Sequence, residues 1–392
     1  MADGLSGRPL VVWQAGVTWD DVVGTDRQLV KKLTSTVDIL WIDPPRSAAH
    51  VRPLRPSAAH SFVTEVDHGI RRLIVTTTPF PRRRGVSGLT TRLLRRAIRQ
   101  AVRRDGRQPL ATVGTNPYFD ADAVPGVRAV YYATDDFVAG ARLMGTSVRQ
   151  IGRCERRAVR GSDEVGAITH AVAERWEGAT RPRFVLPNGC DVDHYADLES
   201  GDRAADVALS RPVAGVVGQL SSRIDLSLLE AVVDSGISIL LVGPISPGWE
   251  TARVAALIDR PQVQWVGSRP YGSLPSYLRA MDVGLTPYRN TAFNRASFPL
   301  KTLEYLAAGL PVVSTPLPAV TALDTSLIHT AKGPAEFAAE VASALATSTA
   351  AAAVEGRKFA RRHSWQRRAD ALLSVLNGAD PEDWTGVEVV GG

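Results

Sequence analysis

Apolar runs of about five residues recur along the whole chain, separated by amphipathic stretches. Runs this continuous suit parallel strands covered on both faces better than half-exposed strands. In the first half they fall at residues 9–13, 37–42, 71–76, 110–114, 129–132 and 164–168. Helical stretches lie between them: one through 28–33, one over 88–104 and one through Cys154. The turn-rich Pro187-Asn-Gly-Cys-Asp-Val-Asp-His-Tyr195 reads as a link. A second alternation follows, with strands expected at 213–217, 238–242, 263–266, 283–286, 311–314 and 327–329. Its helices start near Asp225, Glu250, Leu274 and Lys301, and alanine propensity makes 338–353 a helix. Two such halves predict an α/β chain of two Rossmann-like domains with a cleft between them, residues 1–200 and 201–358.

Composition agrees and narrows the class. The 392 residues are 44% hydrophobic and 22% charged, enough for two ordinary cores. No apolar run approaches the roughly 18–20 residues that span a bilayer. Residues 1–7 lack a signal-peptide pattern, so a cytoplasmic location is expected. Cys154 and Cys190 have no metal-like spacing and no neighbouring base, so both are expected to be reduced and non-catalytic.

Charge is concentrated in one element. Between Arg82 and Arg107 stand ten arginines and the single acid Asp105, a local +9 within a chain total of +6. The rest of the chain therefore carries about −3. Leu94, Ala97, Ile98 and Ala101 form an apolar stripe there, beside a ridge of Arg92, Arg96, Arg99 and Arg103. Three readings are open: a solvated face, adhesion to an anionic membrane surface, or nucleic-acid binding. No recognised nucleic-acid motif supports the third, and no nucleic-acid partner is expected.

Candidate chemistry centres on Ala296-Ser-Phe-Pro-Leu-Lys-Thr-Leu-Glu304-Tyr-Leu-Ala-Ala-Gly309-Leu-Pro-Val-Val-Ser-Thr315. It reads as a loop, a short helix stopped by Gly309 and a buried strand. Pro299 suits the first helical turn, and the helix N-terminus behind it favours phosphate. Lys301 adds a cation, and Glu304 rises on the same face three residues on. That pair suits a ligand bearing both phosphate and hydroxyls, such as a nucleotide sugar; a solvated ion pair is the plainer alternative. Val217-Gly-Gln-Leu-Ser-Ser-Arg223 is a strand followed by a glycine-containing basic loop, a second phosphate-cradling pattern.

These residues resemble the donor-site signature of retaining GT-B glycosyltransferases of the family 4 type. The matching branch reads Pro-Leu-Lys-x-x-Glu-Tyr-Leu-Ala-x-Gly-x-Pro-Val-Val. Pro187-Asn-Gly-Cys-Asp191 is also similar to the family's Pro-Asn-Gly-Val-Asp, with Cys190 at the usual valine. The resemblance implies two Rossmann-like domains facing across a cleft, with a C-terminal helix near 359–376 returning to the first. Residues 359–392 would then join the acceptor-binding domain, and 201–358 would bind donor. Implied donor contacts are Gly16, Gly218, Arg223, Gly243, Ser268, Ser297, Phe298, Leu300, Lys301 and Glu304. Arg223 and Lys301 would stabilise the leaving diphosphate, and Asp135 would sit near the transferred sugar. Helix capping is the competing reading for Asp135 and Asp136.

The chain departs from the family at two positions. Gln219 stands where a first loop cation is common. Ala296 replaces the acid associated with donor-sugar hydroxyls, for which Asn290, Asn294 or Arg295 are candidate replacements. The family implies hexose transfer from a nucleoside-diphosphate sugar with retention, without a metal or other cofactor. The basic helix points to a lipid-linked, polysaccharide or glycolipid acceptor at a membrane face. Natural-product glycosylation, a sugar-nucleotide epimerase and a non-catalytic nucleotide-sugar-binding protein are the rivals.

Overall fold

The apolar runs become strands that are buried because helices cover both faces of their sheets. The computed structural model describes residues 7–21, 23–48, 61–81, 85–176, 178, 183–196, 201–378 and 380–390. The first nine strands are Leu10–Gln14 (β1), Asp38–Ile42 (β2), Arg46–Ser47 (β3), Ser61–Asp67 (β4), Ile70–Thr77 (β5), Pro109–Gly114 (β6), Arg128–Ala133 (β7), Glu164–Ala167 (β8) and Arg183–Val185 (β9). The next six are Val213–Val217 (β10), Ser238–Val242 (β11), Val263–Trp265 (β12), Val283–Thr286 (β13), Val312–Ser314 (β14) and Ile328–Thr330 (β15). Glu388–Val389 (β16) follows near the chain end.

Two sheets result. The first runs β16-β9-β8-β7-β6-β1-β2-β5-β3, with β4 paired to β5, and the second runs β12-β11-β10-β13-β14-β15. The second is parallel throughout. In each sheet the strand order reverses beside the first strand, between β1 and β6 and between β10 and β13. Open α/β sheets bind ligands outside the carboxyl ends of the strands at such a reversal.

The chain divides into one unit of Met1–Pro187 with Gln366–Gly392 and another of Asn188–Trp365. The division falls earlier than residue 200 and later than 359, for a visible reason. Gly189 and Cys190 are stitched to the later crossing: the Cys190 amide donates to the His363 carbonyl at 2.9 Å, and the Trp365 amide donates to the Cys190 carbonyl at 3.0 Å. A Cβ at Gly189 would lie 2.8 Å from the Trp365 nitrogen, so only glycine permits this approach. The stitch also breaks the expected closing helix into Ala350–Arg362 and Trp365–Leu376, the latter lying almost wholly in the first unit.

Two further differences have local causes. The alanine-rich stretch is two helices, Pro334–Ala346 and Ala350–Arg362, because Thr349 caps the second by accepting the Ala352 amide at 3.1 Å. The exposed antiparallel strand β4 was not legible, since its Phe62 and Val63 face solvent at the sheet edge. Among the described residues no single helix is long and apolar enough to cross a membrane.

One tyrosine completes the second sheet. Strand β13 pairs with β10 only at Ala214 and Gly215, so the Val217 amide lies beyond that ladder. The buried Tyr305 hydroxyl accepts it at 2.8 Å. A Cβ at Gly284 would strike the same ring at 2.2 Å, which accounts for glycine inside that strand. Tyr305→Phe should cost roughly 1–3 kcal/mol by stranding the Val217 amide. Urea unfolding of the variant checks this, and Gly284→Ala should be destabilised on a similar scale by overpacking.

Candidate functional site

In the second unit the strand ends after β10, β11 and β12 each turn on a glycine. The Gly218 amide donates to the Val242 carbonyl at 2.9 Å, and the Gly243 amide to the Gly267 carbonyl at 2.8 Å. Gly218 and Gly243 hold φ values of +133° and +140°, which residues bearing a side chain rarely adopt. A Cβ on Gly243 would sit 1.8 Å from the Gly218 carbonyl oxygen. The bare backbone therefore leaves room at the carboxyl edge. Lys301 fills part of it: its Cε would be 3.7 Å from a Cβ at Gly218.

Lys301 lies in the first turn of the helix Leu300–Ala307, with Pro299 at the N-cap rather than inside the helix. Its ammonium donates to the Glu304 carboxylate at 2.5 Å, and Glu304 is itself buried. The helix ends as the glycine predicts. Gly309, at φ +78°, donates to the Leu306 carbonyl, and Leu310 donates to that of Tyr305, both at 3.0 Å.

Arg223 is held from three sides. Its Nε donates to Asn294 Oδ1 at 2.9 Å, and its guanidinium carbon lies 5.2 Å from the Tyr288 ring centroid and 4.8 Å from that of Phe293. Asn294 is fully buried, and its Nδ2 donates to the carbonyls of Arg223 and Arg289 at 3.0 and 2.8 Å. The side chain thus fixes a planar cation, with no ion pair to Arg223 among the described residues. Arg223 and Lys301 are two cations placed on a sheet edge at its topological reversal.

The first unit has its own carboxyl-edge cavity, lined in part by Gln14, Asp43, Asn116 and Tyr118. Gly16 borders this edge, but its amide donates to Asp26 Oδ2 at 3.2 Å. Trp13 Nε1 donates to Asp26 Oδ1 at 3.3 Å. Burial pushes the Asp26 carboxyl up to about 6, only partly offset by hydrogen bonds from Thr115, Gly16 and Trp13. Asp135 follows β7 and accepts the Asp136 amide at 2.9 Å. Asp136 accepts the Ala139 amide at 2.9 Å and pairs with Arg175, so it caps a turn rather than a helix.

Comparison with known proteins places this geometry. Residues 211–347 match the family model for glycosyl transferases group 1. The matched stretch lies within the second unit. TuaH of Bacillus subtilis (strain 168), named as a glycosyltransferase of teichuronic acid biosynthesis, is 29% identical over 147 residues, 37% of each chain. A D-inositol 3-phosphate glycosyltransferase of Geodermatophilus obscurus is 26% identical over 268 residues, 62% of this chain and 56% of that protein. The matches thus span 37% and 56% of these relatives' lengths. Among solved structures, sucrose-phosphate synthase from Thermosynechococcus elongatus superposes with a TM-score of 0.71 at 16% identity, over 94% of this chain and 98% of its own. An E. coli trehalose-6-phosphate structure bound with UDP-2-fluoro glucose gives 0.69 at 13%, over 95% and 99%. The fold is GT-B.

Within the second unit Gly218, Gly243 and Lys301 come together, and Lys301 meets Glu304. Ser268 lies exposed on the loop after β12. Ser297, Phe298 and Leu300 precede or open the Lys301 helix, and the Ser297 hydroxyl donates to the Phe293 carbonyl at 2.9 Å. Ala296 is buried. Asn294 is corrected as a substitute for the missing acid, because each of its polar atoms is already bonded within the protein. Asn290 and Arg295 are bonded to each other at 3.4 Å. The Gly16 amide is likewise committed to Asp26 rather than open to a ligand. Sequence reasoning missed Asn294 as the clamp of Arg223, and missed Asp26, Asn116 and Tyr118. The Asn116-Pro-Tyr118 spacing carries no signal, and a lone aspartate in a helix resembles a cap.

Asp26 makes the first unit's stability depend on pH. Its carboxyl binds its proton more tightly folded than unfolded, so the stability it contributes is fully present below about pH 4 and is lost by about pH 6. The loss is roughly 3 kcal/mol for two pKa units. Asp26→Asn should remove that slope, so the difference between variant and wild type shifts in the variant's favour from pH 4 to 6. Thermal unfolding across this range tests it; parallel pH profiles would refute the assignment.

Proposed function

We propose that the chain transfers a hexose-type sugar from a nucleoside-diphosphate sugar to an acceptor with retention of configuration. One observation carries this reading: Lys301 lies over the side-chain-free Gly218 edge and pairs with the buried Glu304. Backbone there can approach a diphosphate that any Cβ would exclude. Arg223 and Lys301 would neutralise the charge that grows on the departing diphosphate, held in place beforehand by Asn294 and Glu304. Glu304 would bind the ribose hydroxyls, with Lys301 partly transferring to the phosphates. The departing phosphate oxygen then takes the acceptor proton, so no protein base is required. None of these roles calls on a metal ion. Ser268, Ser297, Phe298 and Leu300 would line the donor, and Asp135 would face the transferred sugar from the first unit's sheet edge.

The acceptor in this reading is lipid-linked, a polysaccharide or a glycolipid. Four exposed arginines of the helix Ser87–Asp105 support an anionic membrane surface as partner: Arg92, Arg96, Arg103 and Arg104 make no ion pair among the described residues. Arg95 and Arg107 pair with acids, and Arg99 donates to the Ala123 and Asp122 carbonyls. Arg82, Arg83 and Arg84 lie outside the described residues. A small phosphorylated acceptor is the second reading, supported by the relative named as a D-inositol 3-phosphate glycosyltransferase.

Thermal unfolding against UDP, GDP, dTDP and ADP tests the donor site. A nucleotide at about 100 times its Kd should stabilise the fold by roughly 2.7 kcal/mol. Arg223→Ala, Lys301→Ala and Asn294→Ala should each weaken the effective nucleotide about ten- to a hundredfold, the scale of a charge-assisted hydrogen bond. The parent nucleoside, which lacks phosphate, should bind Asn294→Ala and wild type alike. Stabilisation by no nucleotide would refute the donor-site assignment.

A further inference from the structure

The second arginine-rich helix of the first unit, Val148–Gly161, was not singled out by the charge pattern, yet its surroundings are more telling. It carries Arg149, Arg153, Arg156, Arg157 and Arg160 against Glu155 alone, five cations less one acid, or +4. The nearby acids are already engaged. Glu155 and Asp136 both pair with Arg175, and Asp120 is gripped by Arg95 through bonds of 2.8 and 2.6 Å. Among the described residues the five helix arginines make no ion pair; Arg153 Nε donates only to the Arg149 carbonyl, at 3.2 Å.

Arg153 and Arg157 are four residues apart and so share one face. Both line a cavity of about 270 Å³, together with Gln150, Ser87, Thr91 and Tyr118. That volume is near the lower end of small-molecule sites, roughly 300–1,000 Å³. A shallower depression bounded by Arg156 and Arg160 continues from it. On its other side, Ser87, Thr91 and Tyr118 also line the carboxyl-edge cavity that reaches Gln14 and Asn116. Two guanidinium groups with amide and hydroxyl groups around them form a concave cation site beside the place where a sheet of this kind binds ligand; Asp120 also lines it, but its carboxylate is held by Arg95. Guanidinium forks match the several oxygens of a phosphate in charge and geometry.

We propose that this cavity binds a phosphate group carried by the acceptor, with Arg153 and Arg157 gripping its oxygens and the acceptor's remainder extending toward Gln14 and Asn116. Calling the ligand an acceptor rests on the transferase reading; phosphate capture itself does not.

Cys154 lines the same cavity and is partly exposed, whereas Cys190 is buried, so alkylation by N-ethylmaleimide reports occupancy. Inorganic phosphate and glycerol 3-phosphate should slow Cys154 labelling, while chloride at matched ionic strength should not. The concentration required should rise at least about tenfold in Arg153→Gln/Arg157→Gln, the loss of one charge-assisted contact or more. Vesicles of phosphatidic acid, against phosphatidylcholine, separate the sources: protection by the vesicles alone identifies a lipid-borne phosphate, and protection by the soluble esters a free one. Labelling that no phosphate probe slows, or protection unchanged in the double variant, overturns the proposal. Nucleotide stabilisation measured on the same preparations keeps the two ideas apart. If it persists while protection fails, only the phosphate cavity falls; if it fails while protection persists, only the donor reading falls.

Discussion

The carboxyl edge of the second sheet depends on two peptide units approaching more closely than any side chain permits. A Cβ on Gly243 would fall 1.8 Å from the Gly218 carbonyl oxygen, and both glycines hold positive φ angles. Everything useful at that edge follows from this bare patch of backbone. Lys301 reaches over it, Glu304 anchors Lys301 from within the protein, and the strand-order reversal beside β10 opens the space outward. The same exclusion recurs at Gly189 and Gly284, where backbone and ring respectively occupy the position a methyl group would need.

Arginine has two different roles in this chain, and the distribution of acids separates them. Arg72, Arg95, Arg107 and Arg175 are matched to the buried carboxylates of Asp43, Asp120, Asp105 and Asp136 and tie separate segments of the first unit together. Arg223 is fixed instead by an amide and two aromatic rings, which orient the cation without neutralising it. The arginines of Val148–Gly161 keep their charge because the acids near them are already paired. Net charge alone cannot show this difference, since +6 for the chain counts both kinds equally.

Much of the fold was legible because buried parallel strands write themselves as uninterrupted apolar runs. All six strands of the second sheet lie within a residue or two of their expected positions. What escaped either lacked an apolar run or was set by contacts distant in sequence. β4 is an exposed edge strand held by pairing to β5, so it shows no apolar run. The closing helix is interrupted by hydrogen bonds from Cys190, more than 170 residues earlier, to His363 and Trp365. Of the candidate site, the Lys301–Glu304 pair was readable because helical spacing alone brings residues three apart together. The fate of Asn294 was not, because its partners, Arg223 above all, come from another loop.

The sequence by itself determined the α/β class, the two-unit plan, the helix that carries Lys301 and Glu304, and its stop at Gly309. Each of these is local, a matter of periodicity, helical spacing or one residue's backbone freedom. Only the tertiary structure decided which polar groups remain available. It consumed the Asn294 amide and the Gly16 N–H in internal hydrogen bonds, and raised the Asp26 carboxyl by enclosing it. It also left Arg153 and Arg157 around a cavity with no ion pair among the described residues. Availability is the difference between a group's bonding capacity and the partners packing brings to it, and those partners come from elsewhere in the chain.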